Sequence, residues 1–126
     1  MQRVTGLGGL FFKAKDPKTM YEWYEKHLGI KQEVEGAGVM FHWRDAADPE
    51  KTGMTVWSIF PQTTKYFDPS ASSFMMNFRV ENMDELIKAL REEGIDAKVE
   101  DSEYGKFAWI MDPEGNRIEL WEPPKD

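Results

Sequence analysis

The chain has 126 residues, 40% of them hydrophobic and 31% charged, a formal net charge of −7 and no cysteine. That length suits one domain with a real core, and the missing cysteines exclude a disulfide framework, a thiolate nucleophile and a cysteine-based metal site. The negative charge argues against nucleic acid, whose phosphates demand clustered Lys and Arg, and no apolar run is long enough to span a membrane. The first residues lack the apolar core of a signal peptide, so a cytoplasmic location is expected. Five Trp and eight Met are many for this length; such side chains fill a core or line an apolar pocket.

In chain order, Thr5–Ala14 reads as a first strand interrupted by glycines, which mark a bulge or a close approach of ligand or backbone. Gly6-Leu-Gly-Gly9 follows no strand and opens no helix, so a nucleotide loop is rejected. Asp16-Pro17 has the chemistry of an N-cap and first helical residue. Met20, Trp23, Tyr24, His27 and Leu28 then recur at helical spacing, and Gly29 supplies the stop. His27 on that stripe reads as a packed or helix-end histidine rather than a ligand. Lys31–Glu35 is expected as a short strand, Val39–Trp43 as a firmer one, and Met54–Phe60 as a third, ended by Pro61. Residues 61–73 have linker composition.

The pattern then restarts. Phe74–Val80 reads as a strand, Asn82 caps a helix with Glu85 three residues on, and Met83, Leu86, Ile87 and Leu90 form its apolar stripe before Gly94. Ala97–Glu100, Lys106–Met111 and Arg117–Trp121 follow as strands. The last two flank Asp112-Pro-Glu-Gly-Asn116, where Pro113 presets φ and Gly115 can take φ > 0, as a tight hairpin turn needs. On the closing strand Arg117, Glu119 and Trp121 share one face. A carboxylate there is costly to bury without a partner, which makes Glu119 the first candidate for function.

The two halves form an internal repeat: Ala14-Lys-Asp16 matches Val80-Glu-Asn82, and Leu28-Gly-Ile30 matches Glu93-Gly-Ile95. Asp112-Pro-Glu-Gly-Asn-Arg-Ile-Glu-Leu-Trp-Glu-Pro123 resembles the closing hairpin of the vicinal oxygen chelate superfamily, which includes glyoxalase I, bleomycin-resistance proteins and extradiol dioxygenases. The resemblance implies an α+β fold of two tandem β-α-β-β-β modules, about 5–61 and 73–122 with a linker at about 62–72, forming a curved, incomplete barrel. It also implies a homodimer and, in metal-using members, one ligand from each of four strand positions. Aligning the halves on their helix caps and on Pro61 and Pro123 puts those positions at Gly9, Trp57, Met75 and Glu119. Only Glu119 is a hard ligand, so no divalent metal and no other cofactor is expected.

What is left is a cavity whose walls are expected to carry Phe11, Lys13, Trp57, Met75, Asn77, Arg79, Arg117 and Trp121 around Glu119, the candidate base or ligand anchor. Apolar walls with a few convergent polar groups suit a small organic molecule. The first functional expectation is therefore a binding protein of the bleomycin-resistance type. The alternative is a metal-dependent lyase, isomerase or dioxygenase of the glyoxalase I type.

Overall fold

The computed structural model describes residues 3–125. Nine elements follow in order: β1 (Val4–Ala14), α1 (Pro17–Leu28), β2 (Val39–Arg44), β3 (Thr52–Pro61), β4 (Phe74–Val80), α2 (Met83–Glu92), β5 (Lys98–Ser102), β6 (Gly105–Met111) and β7 (Arg117–Glu122). The strands form one mixed sheet in the order β2-β3-β1-β4-β7-β6-β5, and it does not close into a barrel. Its midline is the antiparallel β1–β4 pair. On each side of that pair a parallel neighbour follows, β3 beside β1 and β7 beside β4. The tandem repeat is thus visible as a pseudo-twofold through the sheet.

The caps hold both helices as their residues dictate. Asp16 accepts from the Thr19 N–H and hydroxyl, at 3.2 and 2.7 Å. Asn82 Oδ1 accepts from Glu85 N–H at 3.1 Å, and the carboxylate that meets the Met83 N–H comes from Glu122, 2.6 Å away on β7. A negative group at that position also suits the helix dipole. Gly94, at φ +84, closes α2 with the paired bonds Gly94 N–H to Arg91 O and Ile95 N–H to Leu90 O that a left-handed residue permits.

Both helices lie on the same face of the sheet. α2 covers Leu120, Ala108 and Val80 through Met83, Leu86, Ile87 and Leu90. α1 buries Tyr21, whose hydroxyl accepts from the Ile59 N–H at 2.8 Å. The stripe expected for α1 is therefore rotated: Trp23 and Leu28 stay 51% and 59% exposed, and His27 is exposed beside the Trp23 ring. The opposite, concave face carries a second cluster of Phe11, Phe67, Met75 and Trp109.

One expected strand is missing. Residues 31–35 form no strand, so the first module has three strands where the second has four. Gln32 Oε1 instead accepts from the N–H groups of Gly36 and Gly38. Both glycines take φ above +80, a turn that a five-residue, mostly charged segment does not resist.

Candidate functional site

Four residues stand in register across the middle of the sheet. Val56 pairs with Gly9, Gly9 with Asn77, and Asn77 with Glu119. Glu119 is 3% exposed, yet its carboxylate is provided for. The Tyr66 hydroxyl donates to Oε1 at 2.5 Å, and the Asn77 amide donates to Oε2 at 3.0 Å. Burial pushes the Glu119 carboxyl above its ordinary range, while the Tyr66 and Asn77 donors and the positive charge of Arg117 pull back less strongly. Burial and the adjacent carboxylate push the Tyr66 phenol far up, so it serves as a proton-bearing donor.

Tyr66 belongs to the connection between β3 and β4, a segment whose composition reads as a linker. It is instead anchored at three points. Phe67 is fully buried against the concave face, Ser72 donates to Asn116 in the closing turn at 2.7 Å, and Arg117 donates to the Tyr66 carbonyl. The Arg117 guanidinium also lies 5.9 Å from the Tyr66 ring and 5.1 Å from the Trp109 ring.

Above Glu119 is a cavity of about 270 Å³, lined by Gly8, Phe11, Val56, Phe60, Tyr66, Asn77, Phe107, Glu119 and Trp121. The rings around it fall into two stacks nearly at right angles, with Tyr66 edge-on to Trp109 at 87°. Phe60 stacks on Tyr66 at 5.8 Å, and Phe107 stacks on both Trp109 and Trp121 at 6.2 Å. A wider cleft between α1 and residues 32–36 is lined by Lys18, Glu22, Glu25 and Glu35, on the helix face and away from Glu119.

Of the residues singled out from sequence, Phe11, Asn77, Glu119 and Trp121 meet at this cavity. Arg79 and Arg117 flank it, each against the ring of a wall residue. Met75 is fully buried beneath the wall, and Lys13 lies over Phe67, 5.2 Å from its centroid. Trp57 is displaced to the other face, where it packs on Phe12, Tyr21 and Tyr24. In its place β3 contributes Val56 and Phe60. The cause is a one-residue slip in the repeat alignment: Glu119 corresponds to Val56, not Trp57, and in a strand a slip of one exchanges the faces. A second slip, of two, makes Asn77 rather than Met75 the counterpart of Gly9. Gly9 precedes its helix cap by seven positions (16 − 9) and Asn77 precedes its own by five (82 − 77). A slip of two preserves the face. Val56, Phe60, Tyr66 and Phe107 escape the sequence reading; the adjacent Tyr66-Phe67 pair inside a polar linker is the available signal for one of them.

The central positions are therefore Gly9, Val56, Asn77 and Glu119. Two of the four offer no donor, and the Asn77 atom facing Glu119 is an N–H donor. Among the described residues no three His, Cys, Asp or Glu side chains converge. This set does not fit a divalent metal, which needs about three protein ligands.

A family model described as a glyoxalase-like domain matches residues 9–121. The chain belongs to the glyoxalase-like domain family. Solved structures with the same fold include methylmalonyl-CoA epimerase from Mycobacterium tuberculosis, at 20% identity and TM-score 0.59, covering 99% of this chain and 92% of that one. A single-substitution variant of Streptomyces coelicolor methylmalonyl-CoA epimerase, in complex with 2-nitronate-propionyl-CoA, aligns at 15% identity and TM-score 0.66 over 97% and 99%. A glyoxalase/bleomycin resistance protein/dioxygenase superfamily member from Vibrio splendidus 12B01 aligns at 14% identity and TM-score 0.61 over 92% and 98%. No curated protein sequence matches significantly. Identities this low carry the glyoxalase-like fold and no particular reaction. Among the described residues no helix is long and apolar enough to cross a membrane.

Proposed function

We propose that this glyoxalase-like chain binds a small planar organic molecule in the aromatic cavity, with the Glu119 carboxyl as its polar anchor. The observation that carries the reading is the constellation itself: a buried carboxylate, braced by Tyr66 and Asn77, at the wall of a cavity lined by two aromatic stacks. Stacked aromatic walls favour a flat ligand, and each ring pair contributes about 0.5–1.5 kcal/mol beyond area burial. A carboxylate with free lone pairs favours a ligand that donates a hydrogen bond. The metal-dependent lyase or dioxygenase reading draws no support from the donor set. The test is titration of 4-hydroxybenzamide, a flat molecule with a donating hydroxyl, followed by the NMR signals of the indole N–H groups. Saturable shifts at Trp121 and Trp109 support the proposal. No saturable shift up to about 10 mM, where even very weak complexes would be seen, overturns it.

A further inference from the structure

Arg79 is a cationic side chain at the cavity whose surroundings are unexplained by the anchor already described. Its stem lies against Gly8, where an added Cβ would come within 3.0 Å of Arg79 Cγ. Its guanidinium carbon lies 5.2 Å from the Trp121 ring and 5.5 Å from the Trp43 ring. Both indoles are pinned by their own N–H groups, Trp121 to the Tyr104 carbonyl at 2.8 Å and Trp43 to the Thr55 hydroxyl at 2.9 Å. Trp43 is seated further by two glycines. A Cβ at Gly53 or Gly6 would collide with its ring, so side chains there would evict it.

Among the described residues the guanidinium held in this cradle has no ion-pair partner. The pairs there are Arg3–Glu93 and Lys106–Asp84, and neither involves Arg79. Burial alone acts on its protonation, with no hydrogen bond or neighbouring carboxylate contributing. A half-buried, oriented fork of five N–H donors is the geometry that recognises an oxyanion, and its rotamer entropy is already lost before the ligand arrives. Asp45, Glu50 and Glu81 share the outer cleft with Arg79 and Lys51, so a group carrying more than one negative charge would be repelled.

Arg79 and Glu119 lie at a fixed spacing, Glu119 in the cavity and Arg79 at its margin in the adjoining outer cleft, against the ring of the wall residue Trp121. Asn77 pairs with Glu119 and Arg79 with Trp121, two residues along, which at about 3.3 Å per residue separates the two levels by roughly 7 Å. We infer that the ligand is a flat monocarboxylate, its carboxylate on Arg79 between Trp43 and Trp121 and a hydrogen-bond donor roughly 7 Å away on Glu119. This rests on the proposed ligand cavity and names the class of molecule it takes.

The matched pair 4-hydroxybenzoate and 4-hydroxybenzamide shares ring and hydroxyl and differs in the charge presented to Arg79. Expected is a preference for the carboxylate of about tenfold or more in Kd, lost in Arg79→Met and reduced in Arg79→Lys, which keeps the charge without the planar fork. The readout is the ratio of the two Kd values within each protein, so a change in the Trp121 wall that weakens both molecules alike does not move it. Amide binding with no carboxylate preference, or a preference that survives Arg79→Met, would overturn the inference and leave the cavity reading standing. Failure of the amide to bind the wild type would remove the cavity reading and, with it, the inference that rests on it.

Discussion

Asn77 and Glu119 stand opposite each other on adjacent parallel strands, and the Asn77 amide donates to the Glu119 carboxylate at 3.0 Å. The other end of that amide, Oδ1, is buried without a partner and turned toward Gly8. A Cβ at Gly8 would collide with it. The glycine is what lets the amide reach the carboxylate.

Gly8→Ala should therefore swing Asn77 away and strip Glu119 of one donor. The expected loss is about 1–3 kcal/mol of stability, read from denaturant melts, with weaker binding of 4-hydroxybenzamide. An unchanged midpoint and an unmoved Asn77 side-chain amide signal would contradict this.

Tyr66→Phe removes the hydroxyl that donates to Oε1 and keeps the ring that stacks on Phe60. Leaving a buried carboxylate with one donor should cost about 1–3 kcal/mol at neutral pH. The deficit should shrink at acid pH, where the carboxyl is protonated and needs that donor less. Melts of the two proteins across pH decide it; a deficit that does not vary with pH would place the hydroxyl's role elsewhere.

The pH dependence of folding has a definite sign. Glu119 has a folded pKa raised chiefly by burial, so the native state holds its proton more tightly than the unfolded chain. Stability from this group is full below the ordinary carboxylate pKa and declines as pH rises through the folded value. Comparing wild type with Glu119→Gln isolates it. The wild-type protein should lose stability relative to the variant as pH climbs out of the carboxylate range, and the opposite slope would show a lowered pKa.

A homodimer is expected in solution. Among the described strands β2 is one edge of the open sheet, with Met40 and Phe41 49% and 46% exposed, a surface that isolated proteins usually cover. Sedimentation should give about twice the 14.7 kDa chain mass; a monomer at high concentration would refute the pairing.

Much of this architecture is legible in the sequence because local chemistry decides it. Asp16-Pro17, Asn82, Gly29 and Gly94 mark the helix ends, and Asp112–Asn116 marks the closing turn, where Asp112 Oδ1 accepts from the Glu114 and Asn116 N–H groups. Register is less legible. β3 is apolar on both faces, with Trp57 and Ile59 turned to α1 and Val56 and Phe60 to the cavity, so alternation cannot choose between them. β4 alternates more usefully, which is why Asn77 and Arg79 are assignable to the cavity side even with its register counted two residues off. Tyr66 is hidden for another reason: a connection ordered by tertiary contacts at Phe67, Ser72 and Arg117 has the local composition of one that is not.

The central claim is that Glu119 serves a ligand and is not a structural ion-pair partner, and Glu119→Gln tests it most directly. No cation forms an ion pair with it among the described residues, and a glutamine can still accept from Tyr66 while Asn77 turns its carbonyl to the new amide. The account predicts a folded variant within about 1 kcal/mol of the wild type near neutral pH. Its affinity for 4-hydroxybenzamide should fall about tenfold, as a charge-assisted bond becomes a neutral one. In the wild type, binding should tighten as pH rises through the Glu119 pKa, and the variant should lose that dependence. A stability loss of about 3–5 kcal/mol, the signature of a broken buried ion pair, with ligand binding unchanged, would contradict the account.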